Sequence, residues 1–340
     1  MAPNQPSGPI FIVGTERSGS NLLRLILNAH PRIAVPHPPH VLRYFAPLEA
    51  SYGDLSRRDD RARLADDVRW LLRVHIHPWD PPIDREALIG HADPPDLLGI
   101  FFGLYDQFLR AEGKARWGCK STFAIHHVDR LRRHRPDARF LWLVRDPRDV
   151  AASSRRSVFS PFHPYLTACL WRDQQELGLA LQARLPADCW LRMRYEDLLA
   201  DPEGSVRSLC RFLGEPFEPG MLAYHRTDAA QAAAALSEDW RNTTQPVLQG
   251  NAGKYRSHLS GAEIRLVETV AGRLMEELDY AAETDGAAPL PAGLPARLAV
   301  RLADARWRAG VELRSLRTDR NHWRRWERDA VMGWLRWRRR

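Results

Sequence analysis

The chain has 340 residues, of which 44% are hydrophobic, and its formal net charge is +8 at pH 7. This length and apolar content allow a sizeable core, as in one enzyme domain with an appendage. No apolar run reaches the length of a membrane span and no repeat of fixed period occurs, which excludes membrane-spanning and repeat architectures.

The amino terminus and the cysteines both indicate a cytoplasmic protein. The first residues have neither the basic region nor the apolar region of a signal peptide. The cysteines are scattered, without the spacing of a metal or redox site, at Cys119, Cys169, Cys189 and Cys210. We therefore expect them to be reduced and mostly buried.

A glycine-bracketed loop is the first informative segment. Gly14 and Gly19 have the separation found in the phosphate loop of nucleoside triphosphatases. Ser20 stands where that motif requires Lys, and Asn21 stands where it requires the hydroxyl that binds Mg²⁺. Arg17 instead places a cation inside the loop. The loop thus predicts a phosphate site that is not built for ATP or GTP hydrolysis and needs no metal.

The segments around this loop fit that interpretation. Residues 10–13 are a short apolar run, as expected of a buried parallel strand, and residues 22–29 show helical periodicity up to His30. The first N–H groups of such a helix bind anions. The alternative is an ordinary tight turn between a strand and a helix.

Residues 51–116 are predicted to form helices. Their apolar side chains recur at helical spacing, at Leu64, Val68, Leu71 and Leu72 and again at Leu97, Ile100, Phe101, Leu104 and Phe108. His75, His77 and Trp79 are candidates for lining a pocket, with core or surface roles as the alternative. Their His-x-His spacing alone is weak evidence for a metal.

A second strand and turn suggest a second phosphate site. Residues 140–144 form a buried-strand pattern, and Arg145 follows at the end where open α/β sheets place ligands. Asp146 and Pro147 predict a capped helix start, and Ser153 lies two turns further on. An Arg fork with a hydroxyl suits a phosphate. The alternative is an Arg–Asp surface network.

The carboxyl-terminal region holds the excess charge. Residues 296–340 contain fourteen Arg and five acidic residues, a net of +9, so the remainder has a net charge of −1. We therefore expect no nucleic-acid partner for the core. Residues 283–295 read as a linker. In the tail, one alternative is a helix that packs its Trp and Leu stripe on the core or on a second subunit as a homodimer. The other is a peripheral helix on an anionic membrane.

Together these segments resemble the sulfotransferases that use 3′-phosphoadenosine 5′-phosphosulfate (PAPS), in particular the bacterial branch similar to tyrosylprotein sulfotransferases. The resemblance covers residues 8–282, with 51–116 as a helical insertion beside the acceptor site. It implies a P-loop-like parallel sheet flanked by helices, an α/β fold, followed here by the basic helical tail. Glu16 replaces the family's usual Pro, and Asn21 replaces a common Thr.

The resemblance also implies roles for single residues. Those of the 5′-phosphosulfate loop are Arg17, Ser18, Gly19, Ser20 and Asn21, and those of the 3′-phosphate motif are Arg145 and Ser153. Lys120, in the segment 117–121, corresponds to the lysine that reaches the sulfuryl group. Tyr195, after a strand at residues 190–193, corresponds to the tyrosine near the adenine. The segment that closes over the nucleotide contains Gly253, Lys254 and Tyr255.

The general base is less well defined. Relatives similar to tyrosylprotein sulfotransferases carry a Glu after the first helix, whereas residues 35–40 here are Val-Pro-His-Pro-Pro-His. His40 and His37 are the candidates, because an imidazole that titrates near neutrality suits removal of a hydroxyl proton. The alternative is that both are structural.

The sequence therefore predicts transfer of a sulfuryl group from PAPS to a hydroxyl of a small molecule, lipid or glycan. Arg17 and Lys120 are the predicted catalytic cations, and no metal is expected. The alternatives are a peptide tyrosine acceptor and a P-loop kinase-like protein.

Overall fold

The structure is a computed structural model that describes residues 8–79, 82–90, 92–155, 157, 161–236, 238–319 and 321–339. Its five strands are β1 Ile10–Gly14, β2 Ile33–Ala34, β3 Arg116–Lys120, β4 Arg139–Val144 and β5 Trp190–Arg194. They form one sheet in the order β2-β3-β1-β4-β5, and each pairing is parallel. The predicted parallel sheet is confirmed.

Sixteen helices surround the sheet in the described part of the chain. The first eight are α1 Ser20–Asn28, α2 Val41–Phe45, α3 Arg58–Val74, α4 Arg85–Gly90, α5 Leu97–Glu112, α6 Val128–His134, α7 Pro147–Ser154 and α8 Pro164–Arg184. The others are α9 Tyr195–Ala200, α10 Pro202–Leu213, α11 Asp228–Leu236, α12 Tyr255–His258, α13 Gly261–Ala271, α14 Arg273–Glu277, α15 Gly293–Thr318 and α16 His322–Arg338. Short 3₁₀ turns connect several of them.

The central strand β1 is buried on both faces. Alternate residues point to opposite sides, so Phe11 and Val13 join one hydrophobic cluster while Ile10 and Ile12 join another. Helices cover both clusters, as parallel sheets require. The carboxyl ends of β1, β3, β4 and β5 therefore open at one edge, and the predicted site residues follow these ends.

The helix start predicted at Asp146 and Pro147 is confirmed. Asp146 Oδ1 accepts a 2.8 Å hydrogen bond from the N–H of Arg148, and Pro147 is the first residue of α7. Asp201 caps α10 in the same way, and Gly214, at φ 72°, ends it. The cap at Asp146 fixes the start of α7, so its first turn lies directly after β4.

Residues 51–116 contain helices α3 to α5 before β3 begins. Helix α5 packs on the sheet through aromatic contacts, in which the Tyr105 and Trp117 ring centroids lie 4.8 Å apart. The Tyr105 hydroxyl donates to Cys119 Sγ, and the four cysteines are free thiols, three of them buried. The prediction of reduced, mostly buried cysteines matches this arrangement.

The tail forms the two helices α15 and α16. Met332 and Leu335 of α16 enter the main core cluster, Trp334 packs on Trp70, and Arg339 pairs with Asp67 at 2.9 Å. The predicted stripe behaves differently, because its large members are exposed: Leu298, Leu302, Leu313, Leu316, Trp307, Trp323, Trp326, Trp334 and Trp337. The tail thus packs on the core mainly through residues outside the predicted stripe, and Trp334 is a member of the stripe that also contacts the core side.

The tail helices are among those too short or too polar to span a membrane. Within the ranges that the structure describes, no helix combines the length and the apolar character needed to cross a bilayer.

Candidate active site

The loop after β1 is held in a conformation that most residues avoid. Gly14 and Gly19 have φ angles of 134° and 89°, and Arg17, which is not a glycine, has φ 70°. A Cβ on Gly19 would lie 2.3 Å from the Tyr195 ring, so glycine allows the loop and this ring to meet. Positive φ at Arg17 is an uncommon conformation that concentrates at functional sites.

The first turn of α1 faces the loop with its N–H groups. Gly19 is the residue before the helix, and no side chain caps the helix start. Buried Arg24 donates from Nε to Asn21 Oδ1 at 2.8 Å and from an Nη to the Val35 carbonyl at 3.1 Å. The Asn21 amide is therefore fixed with its Nδ2 group away from Arg24. An uncapped, positively polarised helix start is suited to binding an anion.

Direct hydrogen bonds connect the two predicted phosphate motifs. Arg17 Nε donates to Ser153 Oγ at 3.1 Å, and Arg145 donates to the Arg17 carbonyl at 3.0 Å. Both contacts cross from the loop after β1 to the segment after β4. The prediction that Ser153 faces the same crevice as Arg145 agrees with this geometry.

Arg145 is buried and held on several sides. Its guanidinium lies 4.5 Å from the centroid of the Tyr195 ring, donates to the Asn251 carbonyl at 3.0 Å, and stands 3.7 Å from Asp149. Asn251 Nδ2 donates in turn to the Tyr195 hydroxyl at 2.6 Å. This cluster fixes a cation and an aromatic face side by side, an arrangement that suits a nucleotide.

Asp149 anchors the late glycine segment. Its carboxylate accepts hydrogen bonds from the N–H groups of Gly253, at 2.7 Å, and Tyr255, at 2.9 Å. Tyr255 is buried and its hydroxyl donates to Glu283. Of the three residues predicted to close over a nucleotide, Lys254 lines the cavity described below, whereas Gly253 and Tyr255 support it from behind.

Lys120 ends β3 on the other side of the loop. Burial, followed by the nearby charge of Arg24, lowers the pKa of Lys120 to about 8, and Glu16 opposes this shift. Glu16 also pairs with Arg43 at 3.3 Å. The Lys120 ammonium therefore keeps its proton at neutral pH but loses it at mildly alkaline pH.

The two candidate bases differ in their surroundings. His40 precedes α2 with φ 55°, and its Nδ1 lies 3.3 Å from Ser121 Oγ. His37 is buried, and neither ring nitrogen has a hydrogen-bond partner among the described residues. Burial lowers the pKa of both imidazoles well below the usual value, with Lys120 adding to the effect at His40 and His75 adding to it at His37. Both rings are therefore neutral at pH 7, and the lowered pKa makes each a weaker base than the imidazole titrating near neutrality that the sequence led us to expect.

The histidines of the insertion join the same cluster. The His75 and His77 rings lie 5.3 Å and 5.7 Å from the His37 ring. Burial, with the charge of Arg328 from α16, lowers the pKa of His75 to about 3. Trp79 donates to the His37 carbonyl at 2.8 Å and supports this turn from outside the cavity. Within the described ranges, no three His, Cys, Asp or Glu side chains are grouped so as to hold a metal ion.

These groups line one cavity of about 770 Å³. Its wall contains eleven of the fourteen residues predicted as catalytic or cofactor-binding: Arg17, Gly19, Ser20, Asn21, His37, His40, Lys120, Arg145, Ser153, Tyr195 and Lys254. The other three do not line the wall: Ser18 belongs to the loop after β1, and Gly253 and Tyr255 belong to the late glycine segment. Of the three pocket candidates in the insertion, His75 lies in the wall, whereas His77 and Trp79 do not. The tail forms another part of the wall, through Arg308, Val311, Arg314, Ser315, Asp319, Arg328, Asp329 and Arg336.

Several wall residues carry no clear signal in the sequence. Glu16 and Arg43 face each other in the cavity, Trp240 lies 5.1 Å from the His37 ring, and Asn251 precedes the Gly253 segment by two residues. Glu16, inside the phosphate loop, and Asn251, two residues before the Gly253 segment, were open to detection by their proximity to motifs. Arg328 comes from a distant helix, and no local pattern indicates that it reaches the histidines.

Buried polar atoms without partners concentrate in this region. They include Ser18 Oγ, Asn21 Nδ2 and Arg145 Nε, which make no hydrogen bond to the described residues. Buried polar groups are almost always satisfied, so a cluster of unpaired donors indicates a polar ligand. Two donors beside the start of α1, on Ser18 and Asn21, together with Arg17 and Arg145, fit an anion with several oxygens, such as a nucleotide phosphate.

Comparison with protein-family models gives two matches. Residues 9–219 match the model described as Sulfotransferase family, and residues 165–279 match that described as Sulfotransferase domain. Protein-tyrosine sulfotransferase 1 of Danio rerio is 26% identical over 247 residues, covering 70% of this chain and 62% of the relative. Protein-tyrosine sulfotransferase 2 of Gallus gallus is 24% identical over 278 residues, covering 78% and 67%. The chain thus spans about three fifths to two thirds of the length of these relatives.

Solved structures share the fold. The sulfotransferase domain from the Synechococcus PCC 7002 olefin synthase superposes with a TM-score of 0.54 at 24% identity, over 80% of this chain and 97% of that domain. The sulfotransferase domain from the curacin biosynthetic pathway gives 0.55 at 18% identity, over 82% and 99%. Both are α/β domains with a P-loop-like sheet, in agreement with the fold class predicted from the sequence.

Proposed function

The chain belongs to the sulfotransferase family, and from that premise we propose that it transfers the sulfuryl group of PAPS to a hydroxyl acceptor. Membership agrees with the resemblance drawn from the motifs. The donor, the acceptor and the roles of single residues are proposals, each supported by the geometry of the cavity.

The hydrogen bond from Arg17 to Ser153 is the observation that carries the choice of donor. PAPS has a phosphosulfate at one end of the nucleoside and a phosphate on the 3′ oxygen. A site for it needs two anion pockets at a fixed separation, joined by a surface for the adenine. The α1 start with Arg17 supplies one pocket, Arg145 with Ser153 supplies the other, and Tyr195 packs against both.

In the proposed reaction the acceptor oxygen attacks sulfur in line. The new O–S bond forms as the bond from sulfur to the phosphate oxygen breaks, and adenosine 3′,5′-bisphosphate leaves with the electron pair. Negative charge grows on the bridging oxygen, where Arg17, Lys120 and the α1 N–H groups stabilise it. The hydroxyl proton passes to a neutral imidazole, for which His40 is the first candidate and His37 the second.

The acceptor class is proposed from what lines the cavity. The relatives are protein-tyrosine sulfotransferases by name, but Pro38 or a neighbour stands where that branch places a Glu, and two histidines flank it. Arg308, Arg314 and Arg336 form part of the opposite wall. We propose a small-molecule, lipid or glycan hydroxyl in a polar setting, and a peptide tyrosine is the alternative.

Calorimetry with adenosine 3′,5′-bisphosphate, ATP and GTP in parallel tests the donor. We expect the bisphosphate to bind most tightly and to need no Mg²⁺, because Asn21 replaces the metal-binding hydroxyl. Tighter binding of ATP or GTP with Mg²⁺ would overturn the proposal in favour of a kinase-like protein. Screening of hydroxyl compounds and tyrosine peptides with labelled PAPS then separates the two acceptor classes.

A further inference from the structure

The large hydrophobic side chains that are exposed in the described part of the chain lie together in sequence. They are Leu290, Leu294, Leu298, Leu302, Trp307, Leu313, Leu316, Trp323, Trp326, Trp334 and Trp337. All of them belong to the linker, α15 and α16. Clustered exposed hydrophobic residues of this size mark a surface that binds something. We call this set, with the arginines beside it, the tail surface.

The tail surface follows the periodicity of each helix. In α15 the exposed residues Leu294, Leu298, Leu302, Ala305, Ala309, Leu313 and Leu316 recur at three- and four-residue spacing, so they form one stripe. The buried residues of α15, among them Asp304 and Val311, lie on another face. The stripe is therefore a separate apolar face that points away from the core.

Helix α16 repeats the arrangement with tryptophans. Trp323, Trp326, Trp334 and Trp337 lie on one side of the helix, and Trp323 and Trp337 are 69% and 73% exposed. The opposite side is buried and consists of His322, Arg325, Arg328, Met332 and Leu335. Trp is enriched at boundaries between water and lipid, because its ring is apolar and its N–H is polar.

Arginines flank the apolar stripe on both edges. On α15, Arg301 and Arg308 follow one edge, and Arg306 and Arg317 follow the other. Their long side chains allow the charged group to reach lipid phosphates while the stem lies on the apolar face.

The tail carboxylates do little to balance these arginines at the surface. Asp304 accepts from the N–H groups of Phe162 and His163, at 2.7 and 2.9 Å. Asp319 and Glu312 pair with buried Arg325, and Asp329 with Arg328. Asp304 also lies 3.8 Å from Arg308. Among the described residues no carboxylate pairs with Arg301, Arg306 or Arg317, so both edges of the stripe keep positive charge.

The charge distribution decides between a second copy of the chain and a membrane. In a twofold dimer the same patch meets itself, so the cationic border of one copy would face the cationic border of the other. A bilayer with anionic lipids offers the opposite charge together with an apolar interior. Helices with a leucine and tryptophan face, a cationic border and no capacity to span lie in the plane of such a surface.

We propose that the tail surface docks the protein on an anionic phospholipid membrane, with α15 and α16 lying in its interface. Arg308 and Arg314 of α15 also line the cavity, so docking sets the cavity beside the lipid surface. The docking is independent of the proposed chemistry, since it rests on residues that lie outside the two phosphate motifs.

Co-sedimentation of the full chain with vesicles tests the proposal. We expect binding to vesicles of equimolar phosphatidylglycerol and phosphatidylcholine, much weaker binding to phosphatidylcholine alone, and loss of binding at high salt. The triple variant Trp323→Ser, Trp326→Ser, Trp337→Ser tests the apolar part. The triple variant Arg301→Glu, Arg306→Glu, Arg317→Glu tests the charge. Each is expected to lower the partition coefficient at least about tenfold.

A matched control separates the tail surface from overall charge. Arg110→Glu, Arg133→Glu and Arg211→Glu change exposed residues of α5, α6 and α10, and bring the formal charge to the same +2 (8 − 6) as the tail triple. We expect this control to bind vesicles nearly as well as the unaltered chain. Equal loss in both triples, or no binding by the unaltered chain, overturns the proposal.

Light scattering after gel filtration addresses the second copy. A dimer of the unaltered chain that becomes a monomer in the tryptophan variant, without vesicle binding by either, also overturns the proposal. Binding of adenosine 3′,5′-bisphosphate is measured on every variant. It reports on the proposed function separately, and retained binding also shows that the variants are folded.

Discussion

Arg17 Nε donates a 3.1 Å hydrogen bond to Ser153 Oγ, although the two residues are 136 positions apart in the chain. Each belongs to a motif that predicts a phosphate site by itself. The contact makes the two sites one, because Arg17 also offers its carbonyl to Arg145. Because Arg17 contacts both sites, it is placed to bind the donor and to stabilise the charge that grows at its phosphosulfate end.

The first prediction concerns this contact. Arg17→Ala is expected to lower kcat by about 10²- to 10³-fold, because a cation that stabilises growing charge is lost. Ser153→Ala is expected to weaken binding of the bisphosphate by about tenfold or less. In a double-mutant cycle, the free-energy effects of the two changes on bisphosphate binding should be non-additive, because residues in contact usually couple.

Ser154→Ala is the matched control for Ser153. Ser154 is buried next to it, and its hydroxyl has no partner among the described residues. Additive effects of the Arg17 and Ser153 changes, or an equal loss on Ser154→Ala, would speak against a functional contact.

Arg145 offers a second prediction. Arg145→Ala is expected to weaken adenosine 3′,5′-bisphosphate by about 10- to 150-fold, the range for losing charged hydrogen bonds. Binding of adenosine 5′-monophosphate, which lacks the 3′-phosphate, should change much less. Calorimetry with both nucleotides makes the comparison. If both lose affinity equally, Arg145 acts only by holding the Arg17 and Asn251 carbonyls.

The candidate bases give a third prediction. His40→Ala is expected to lower kcat by about 10²- to 10⁴-fold and leave bisphosphate binding unchanged, as for loss of a general base. His37→Ala should have the smaller effect of the two. His126→Ala, an exposed histidine outside the cavity wall, serves as the control. Full activity in both cavity variants would remove both residues as bases.

A fourth prediction concerns pH. The pKa of Lys120 is lowered to about 8 by burial and by Arg24, so its charge is present below that pH and lost above it. The imidazoles of His37 and His40, whose pKa values lie well below the usual value, stay neutral over the same range. We therefore expect kcat/KM for PAPS to fall as pH rises through about 8.

The Lys120→Arg variant tests whether Lys120 causes this fall of kcat/KM at alkaline pH. Arginine keeps its charge at alkaline pH, so the fall should move upward or disappear, even if the overall rate is lower. An unchanged alkaline limb in this variant would assign it to another group.

A fifth prediction concerns metal dependence. Asn21 has an amide in place of the Mg²⁺-binding hydroxyl, and PAPS already carries an activated sulfuryl group. We expect turnover to be unaffected by EDTA and by added Mg²⁺. Activity abolished by the chelator and restored by Mg²⁺ would contradict the prediction.

Much of the site could be inferred before folding, because its parts are local. A strand, a glycine turn and a helix are each encoded by neighbouring residues, so β1, β4 and the starts of α1 and α7 were predictable. The carboxyl ends of parallel strands meet at one edge, which predicts that Arg17 and Arg145 lie close together, whereas the place of Lys120 was implied only by the family resemblance. Eleven of fourteen predicted site residues do line one cavity.

Contacts between distant segments could not be predicted from the sequence. The sequence left open whether the tail stripe packs on protein or faces a membrane, and α16 packs on the core mainly through its other side, which includes Met332, Leu335 and Arg328. Hydrophobic periodicity identifies an apolar face but not which of two faces meets the core. Tyr255 is a similar case, since its motif indicated the nucleotide whereas its hydroxyl bonds Glu283.

The sequence by itself determined the sheet, the phosphate loop and the cations around it, because these depend on short-range patterns and on the rule that parallel strands align their ends. Only the tertiary structure decided which histidines share a cavity, that Arg328 of the tail acts on His75, and that the tryptophans face outward. Those facts depend on long-range packing, where the lowest free energy is set by surfaces that no single segment contains.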